Sequence, residues 1–163
     1  MIVTFDTMVL IWDVKRVSTK GQEGKIESAR RLISKLQTDR IELALTSQVV
    51  AEYVGAFPVE RQAKQYRDIC RDFVVYPFDA KAAKIAAELL CKSEFIKELK
   101  DEFGVSRQVV KADMSIAATA IAAGVDTIYS DDRKLKKVAM GMIMVKPIPD
   151  SLPPTATQDE LFE

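Results

Sequence analysis

A chain of 163 residues corresponds to one domain at roughly 150 residues per domain, and its 48% hydrophobic and 29% charged residues exclude a disordered or fibrous polypeptide. The charges balance, 24 basic against 24 acidic, which excludes a molecule that attracts polyanions over its whole surface. The chain has no histidine, so imidazole-based nucleophile triads and histidine-ligated zinc hydrolases are excluded, and any hydrolytic chemistry has to rest on carboxylates, lysines or metal.

From the N-terminus, MIVTF reads as a β-strand ending at Asp6, and TMVLIWDVKR as a short helix. The opening MIVTFDTMVLIW is too short for a membrane span or a typical signal peptide and is interrupted by Asp6, so a cytoplasmic protein with no membrane association is expected. Residues 15–24 form a polar loop. Ile26, Ala29, Ile33 and Leu36 then recur at three and four residues, which predicts an amphipathic helix over 25–37. IELALT (41–46) reads as a second strand, and Ser47 as the N-cap of a helix that stops near Gly55 to Pro58. A charged helix over 59–71 leads to a third strand in FVVYPF (73–78).

Asp79 is expected to cap one long helix running to about Asp101, and a further helix over 108–123 closes at Gly124. A short strand DTIYS, a helix opening at Asp132 and a last strand GMIMV (141–145) complete the pattern. Strands alternating with helices predict a three-layer α/β/α sandwich on a mainly parallel sheet of four to five strands. In such sheets functional groups gather at the C-terminal ends of the strands, where Asp6 and the pair Asp131 and Asp132 fall.

Cys70 and Cys91 lack metal or redox spacing and are expected as buried free thiols. Met140, Met142 and Met144 alternate and are expected on one face of a core strand, and Trp12 in the core or at a subunit contact. Residues 1–146 read as the domain and 147–163 as an acidic, proline-containing tail. The tail holds Asp150, Asp159, Glu160 and Glu163 and no base, which leaves the body with a surplus of four basic residues. With Leu161 and Phe162 as apolar anchors, it is a candidate to cover a basic rim of its own or a neighbouring subunit.

Charges are scarcest over residues 1–12, 45–59 and 112–125, and each of these windows holds a single charged residue: Asp6, Glu52 and Asp113. None has a base at i±3 or i±4 within its window. A carboxylate buried without a partner costs several kcal/mol. Three such acids brought together repel one another, and the usual reason for tolerating that is a hard divalent cation, which prefers oxygen ligands. Without histidine, Mg²⁺ or Mn²⁺ is expected rather than zinc.

The segments FDTMVLIW, TSQVVAEYVG, KADMSIAATAIAAG and IYSDDRKL resemble, in that order, the four acidic motifs of PIN-domain ribonucleases, especially the VapC-like toxins of toxin–antitoxin pairs. Asp6 and Thr7 match the strand-ending Asp-Thr, and Glu52 behind Thr46 and Ser47 matches the helical Glu. Asp113 ahead of Ile116, Ala117 and Ala118 matches the Asp that opens an alanine-rich helix. Ser130, Asp132 and Leu135 match the fourth motif, with Asp131 as the alternative acid. One departure is Met8, where members often carry a polar residue.

The resemblance implies a Mg²⁺- or Mn²⁺-dependent endoribonuclease in which Asp6, Glu52, Asp113 and Asp132 are catalytic. Those four and Asp131 are the candidate metal ligands, and Thr7 and Ser130 support them. Arg133, Lys134, Lys136 and Lys137 are expected to bind RNA, and Arg61, Lys64, Arg67 and Arg71 form a second candidate basic face. A homodimer and an antitoxin partner are implied as well. The competing reading, suggested by Met8, is a PIN-like module that binds RNA or protein without cutting.

Overall fold

A computed structural model describes residues 1–15 and 20–150. Its five strands are β1 (Ile2–Phe5), β2 (Glu42–Thr46), β3 (Val74–Tyr76), β4 (Thr127–Tyr129) and β5 (Met144–Lys146). They form one sheet in the order β3-β2-β1-β4-β5, with every neighbouring pair parallel. Parallel strands need crossover connections, and helices supply them on both faces. Among the described residues these are α1 (Thr7–Leu10, continuing as a π turn over Ile11–Lys15), α2 (Glu23–Thr38), α3 (Ser47–Gly55), α4 (Val59–Asp72), α5 (Ala80–Leu90), α6 (Ser93–Phe103), α7 (Arg107–Ala122) and α8 (Arg133–Val138).

The central strand β1 is buried on both faces: Val3, Thr4 and Phe5 are essentially inaccessible. Phe5 stacks on Tyr129 of β4 at 5.9 Å and meets Phe73 edge-on at 6.1 Å, which ties both halves of the sheet to one core. Ala29, Leu32, Ile33 and Leu36 form the buried stripe of α2, and Trp12 is buried beneath the π turn. At the start of β4 the Ile2 N–H donates to Asp126 Oδ2 (2.7 Å) while the Asp126 N–H donates to the Ile2 carbonyl (2.9 Å), setting the β1–β4 register. Gly124 adopts φ +73° just past α7. There the Gly124 and Val125 amides donate to the Ile121 and Ala120 carbonyls, closing the last turn, and a residue with a Cβ would strain it.

Four expectations are corrected. The long helix over 80–101 is two helices, broken at Cys91 and Lys92, where Lys92 leaves helical geometry (ψ 71°); the break allows both Leu89 and the pair Ile96 and Leu99 to be buried. Cys70 and Cys91 are free but exposed, on the outer faces of α4 and at the end of α5. Met140, Met142 and Met144 are exposed. The alternation is real, but Ile143 and Val145 take the inward positions of this short edge strand. The cap of α3 is Thr46 rather than Ser47, its Oγ1 accepting from the Val49 amide at 3.4 Å. Ile148 is buried in the core, so packing continues past residue 146. The tail anchors Leu161 and Phe162 lie outside the described residues. Among the described residues, no helix is long and apolar enough to cross a membrane.

Candidate active site

In this sheet β2 and β3 lie on one side of β1, and β4 and β5 on the other. The chain therefore switches direction between β1 and β4, and such a switch opens a crevice beyond the C-terminal strand ends. A cavity of about 280 Å³ lies there, lined by Asp6, Thr7, Met8, Glu52, Asp113, Ile116, Asp132 and Leu135. A larger hollow of about 540 Å³ lies where β2 and β3 begin, lined by Glu42, Leu43, Val74 and Val75 among others, at the opposite end of the strands from the acids.

Asp6 stands at the end of β1 and is buried. Its Oδ1 caps α1 by accepting from the Val9 amide at 3.2 Å, and its Oδ2 accepts from the Ser130 hydroxyl at the end of β4. Burial pushes its pKa up to about 6, with the Asp132 charge adding to the rise, against the hydrogen bonds from Ser130 and the Val9 and Met8 amides. Glu52 sits at the exposed rim on α3, where its Oε2 accepts from the Thr7 hydroxyl at 2.5 Å.

Asp113 lies on α7, with only 13% of its side chain exposed. Burial also pushes its pKa up to about 6; Lys134 opposes this, while Asp132, Glu52 and Asp6 reinforce it. All four acids thus share one electrostatic environment. The Asp113 Oδ2 is buried and has no hydrogen-bond partner. Asp132 caps α8 through Oδ1, which accepts from the Lys134 amide at 2.7 Å, and its own amide donates to Ser130 Oγ at 2.9 Å.

Asp131, the alternative ligand, is turned away from this cavity. Its Oδ2 lies 3.0 Å from Lys25 Nζ and its Oδ1 accepts from the Ile148 amide at 2.9 Å. Adjacent side chains of an extended segment point to opposite sides, so Asp131 and Asp132 cannot both face the acids.

The expected RNA-binding cations also divide. Lys137 is bound to Glu98 at 2.8 Å and to Glu102, and Lys134 is bound to Asp132 beside the cavity. Arg133 and Lys136 are exposed and make no ion pair with the described residues. They line an adjoining cavity of about 340 Å³ that shares Asp132 and is walled by Lys25, Asp131 and residues 147–150. On α4, Lys64 and Arg71 are engaged with Asp68 and Asp72. A small hollow lined by Ser93, Ile96, Lys97, Lys100 and Arg107 carries three bases and no acid and has no counterpart among the sequence expectations.

The donor set suits a hard cation: four carboxylates from four elements, one of them with a buried oxygen that accepts no hydrogen bond. Among the described residues, however, no three acids stand preassembled as a metal-ligating group. The ammonium of Lys134 lies instead against Asp132 Oδ2 and 3.9 Å from Asp113 Oδ2.

Three solved structures stand among those to which this one is similar. They are VapBC2 from Rickettsia felis bound to a DNA fragment from their promoter (18% identity, TM-score 0.61, 90% of this chain and 98% of that one), FitAcB from Neisseria gonorrhoeae (19%, 0.55, 88% and 95%) and DNA-bound VapBC from Salmonella typhimurium (13%, 0.56, 91% and 99%). At these identities the likeness is one of fold. No curated protein matches the chain in sequence. The family model for the PIN domain matches residues 3–140. That span holds all five acids considered above and all but the last strand, and the chain belongs to the PIN domain family.

Proposed function

We propose that this PIN domain is a metal-dependent endoribonuclease that hydrolyses RNA phosphodiesters. The observation that carries the reading is the convergence of Asp6, Glu52, Asp113 and Asp132 in one cavity at the switch point of the sheet, with a buried Asp113 oxygen that accepts no hydrogen bond. A divalent ion, Mg²⁺ or Mn²⁺, would supply there a water of lowered pKa and a positive charge facing the phosphate. Asp6 and Asp113, the most buried of the four acids, are the principal ligands. Glu52 and Asp132 hold water at the edges of the cavity, Glu52 oriented by Thr7 and Asp132 by the start of α8. Ser130 positions Asp6 and Asp132 together.

The nucleophile in this reading is water rather than the ribose 2′-hydroxyl, so the products carry a 5′-phosphate and a 3′-hydroxyl. Arg133 and Lys136, in the cavity that shares Asp132, take the phosphates next to the scissile one. The similar solved structures are of VapBC and FitAcB, which supports an antitoxin partner; in this reading the chain is a VapC-like toxin whose antitoxin covers the acids and which self-associates as a homodimer in the cytoplasm. Met8 supports a second reading, an RNA- or protein-binding module that does not cut, because it lines the cavity with a side chain that cannot hydrogen-bond strongly to substrate.

Incubation of the purified protein with mixed RNAs separates the two. Cleavage that needs Mn²⁺ or Mg²⁺, stops in EDTA and is lost in Asp113→Asn supports the nuclease. Cleavage that persists in EDTA or in Asp113→Asn removes the metal mechanism, and RNA binding without cleavage supports the second reading.

A further inference from the structure

The side chain of Lys134 differs from those of Arg133 and Lys136 on the same helix, and from Lys137 in pairing with acids of the cavity. Arg133 and Lys136 extend to solvent, whereas Lys134 folds back over the start of its own helix and is only 20% exposed. There its Nζ is ion-paired to Asp132 Oδ2 and stands 3.9 Å from Asp113 Oδ2 on the neighbouring helix α7. Among the described residues no other cation is in ion-pair contact with any of the four cavity acids. Desolvating an ammonium and fixing a four-carbon stem are both costly, and solvent lies close by. The compensation is the negative charge of the cavity.

We infer that Lys134 is a built-in counter-cation of the acidic cavity: in the metal-free protein its ammonium, paired to Asp132 and 3.9 Å from Asp113 Oδ2, stands where a hydrated divalent ion bound to Asp113, with a water held by Asp132, would lie, so metal binding requires that ammonium to leave. This inference rests on the metal-dependent reading above. It accounts for two observations together, the lack of a preassembled ligand group and the cation lying between two of the acids. One ammonium leaves most of the charge of four clustered carboxylates uncompensated, so exchange for a divalent ion is favourable, but Lys134 sets how favourable. Asp132 still caps α8 by accepting from the Lys134 amide after exchange, because only the flexible stem has to move.

Calorimetric titration of the EDTA-treated full chain with Mn²⁺ alone tests the inference, and thermal melts in EDTA verify that each variant unfolds cooperatively. Lys134→Gln and Lys134→Met, which lack the competing charge, should bind Mn²⁺ at least about tenfold more tightly than wild type. Lys134→Arg keeps the charge and should stay near wild type. In EDTA the two neutral variants should melt below wild type, and Mn²⁺ should raise their melting temperatures by more. Wild-type binding that is unchanged or weakened in Lys134→Gln and Lys134→Met overturns this inference and leaves the metal site standing. Absence of Mn²⁺ binding in wild type and all variants overturns both.

Discussion

The hydroxyl of Ser130 donates to Asp6 Oδ2 across 124 positions of sequence and joins the C-terminal ends of β4 and β1. The same oxygen of Ser130 accepts from the Asp132 amide at 2.9 Å, so one small side chain sets the placement of two of the four acids.

Ser130→Ala removes a buried hydrogen bond to a carboxylate and leaves the Asp132 amide without its partner. It should lower stability by roughly 1–3 kcal/mol, measured by urea unfolding. Because this hydrogen bond holds the Asp6 pKa down against burial, the Asp6 carboxyl should titrate higher in the variant, as followed by NMR. A titration that does not move would show that Ser130 does not act on Asp6 in solution.

The raised acids make the stability of the metal-free protein depend on pH. Asp6 titrates near 3.8 when unperturbed and at about 6 in the fold, so the folded state binds the proton more tightly than the unfolded state. Its contribution is fully present below about pH 4 and is lost as pH rises through about 6. At about 1.4 kcal/mol per pKa unit this amounts to roughly 3 kcal/mol for Asp6, and Asp113 acts in the same direction. Asp6→Asn should therefore gain stability relative to wild type between pH 4.5 and 7 in EDTA. A variant that loses ground over that interval would mean Asp6 is stabilised as a carboxylate by the fold.

Much of this architecture was legible because its determinants are local. Asp79 and Asp132 cap the helices that follow them, Gly124 ends α7, and the apolar runs at β1, β2 and β4 carry the parallel sheet. Asp6, Glu52 and Asp113 were legible for the same reason, each standing alone in an apolar window, whereas Asp132 lies in a charged run and was marked by its place after a strand and by the resemblance. What escaped was decided by tertiary packing. No glycine or proline marks the break at Cys91, which follows from burying Leu89, Ile96 and Leu99. Period-two alternation shows that the Met140–Met144 segment has two faces but not which one meets the core. The four cations after Asp132 look alike in sequence, and only the positions of Asp113, Glu98 and Glu102 separate Lys134 and Lys137 from Arg133 and Lys136.

That separation is measurable in RNA binding. In an Asp6→Asn background, which removes a proposed metal ligand, replacing Arg133 and Lys136 together by Gln should weaken binding of single-stranded RNA. It should also reduce the salt dependence of log K by roughly 1.4, the value for two phosphate contacts. Lys137→Gln, whose ammonium is already held by Glu98 and Glu102, should leave both unchanged. Equal effects from Lys137 and from the pair would mean that the basic segment binds RNA as a diffuse charge.

The central claim is that the four acids form a divalent-cation site rather than a set of structural ion pairs, and the metal response of the melting temperature tests it most directly. Mn²⁺ should raise the melting temperature of wild type by mass action. Asp6→Asn should lose that response while melting, in EDTA, at or above the metal-free wild type, because it relieves repulsion among the clustered carboxylates. A lower melting temperature for Asp6→Asn together with no Mn²⁺ response in either protein would contradict the account and make these acids part of the scaffold alone.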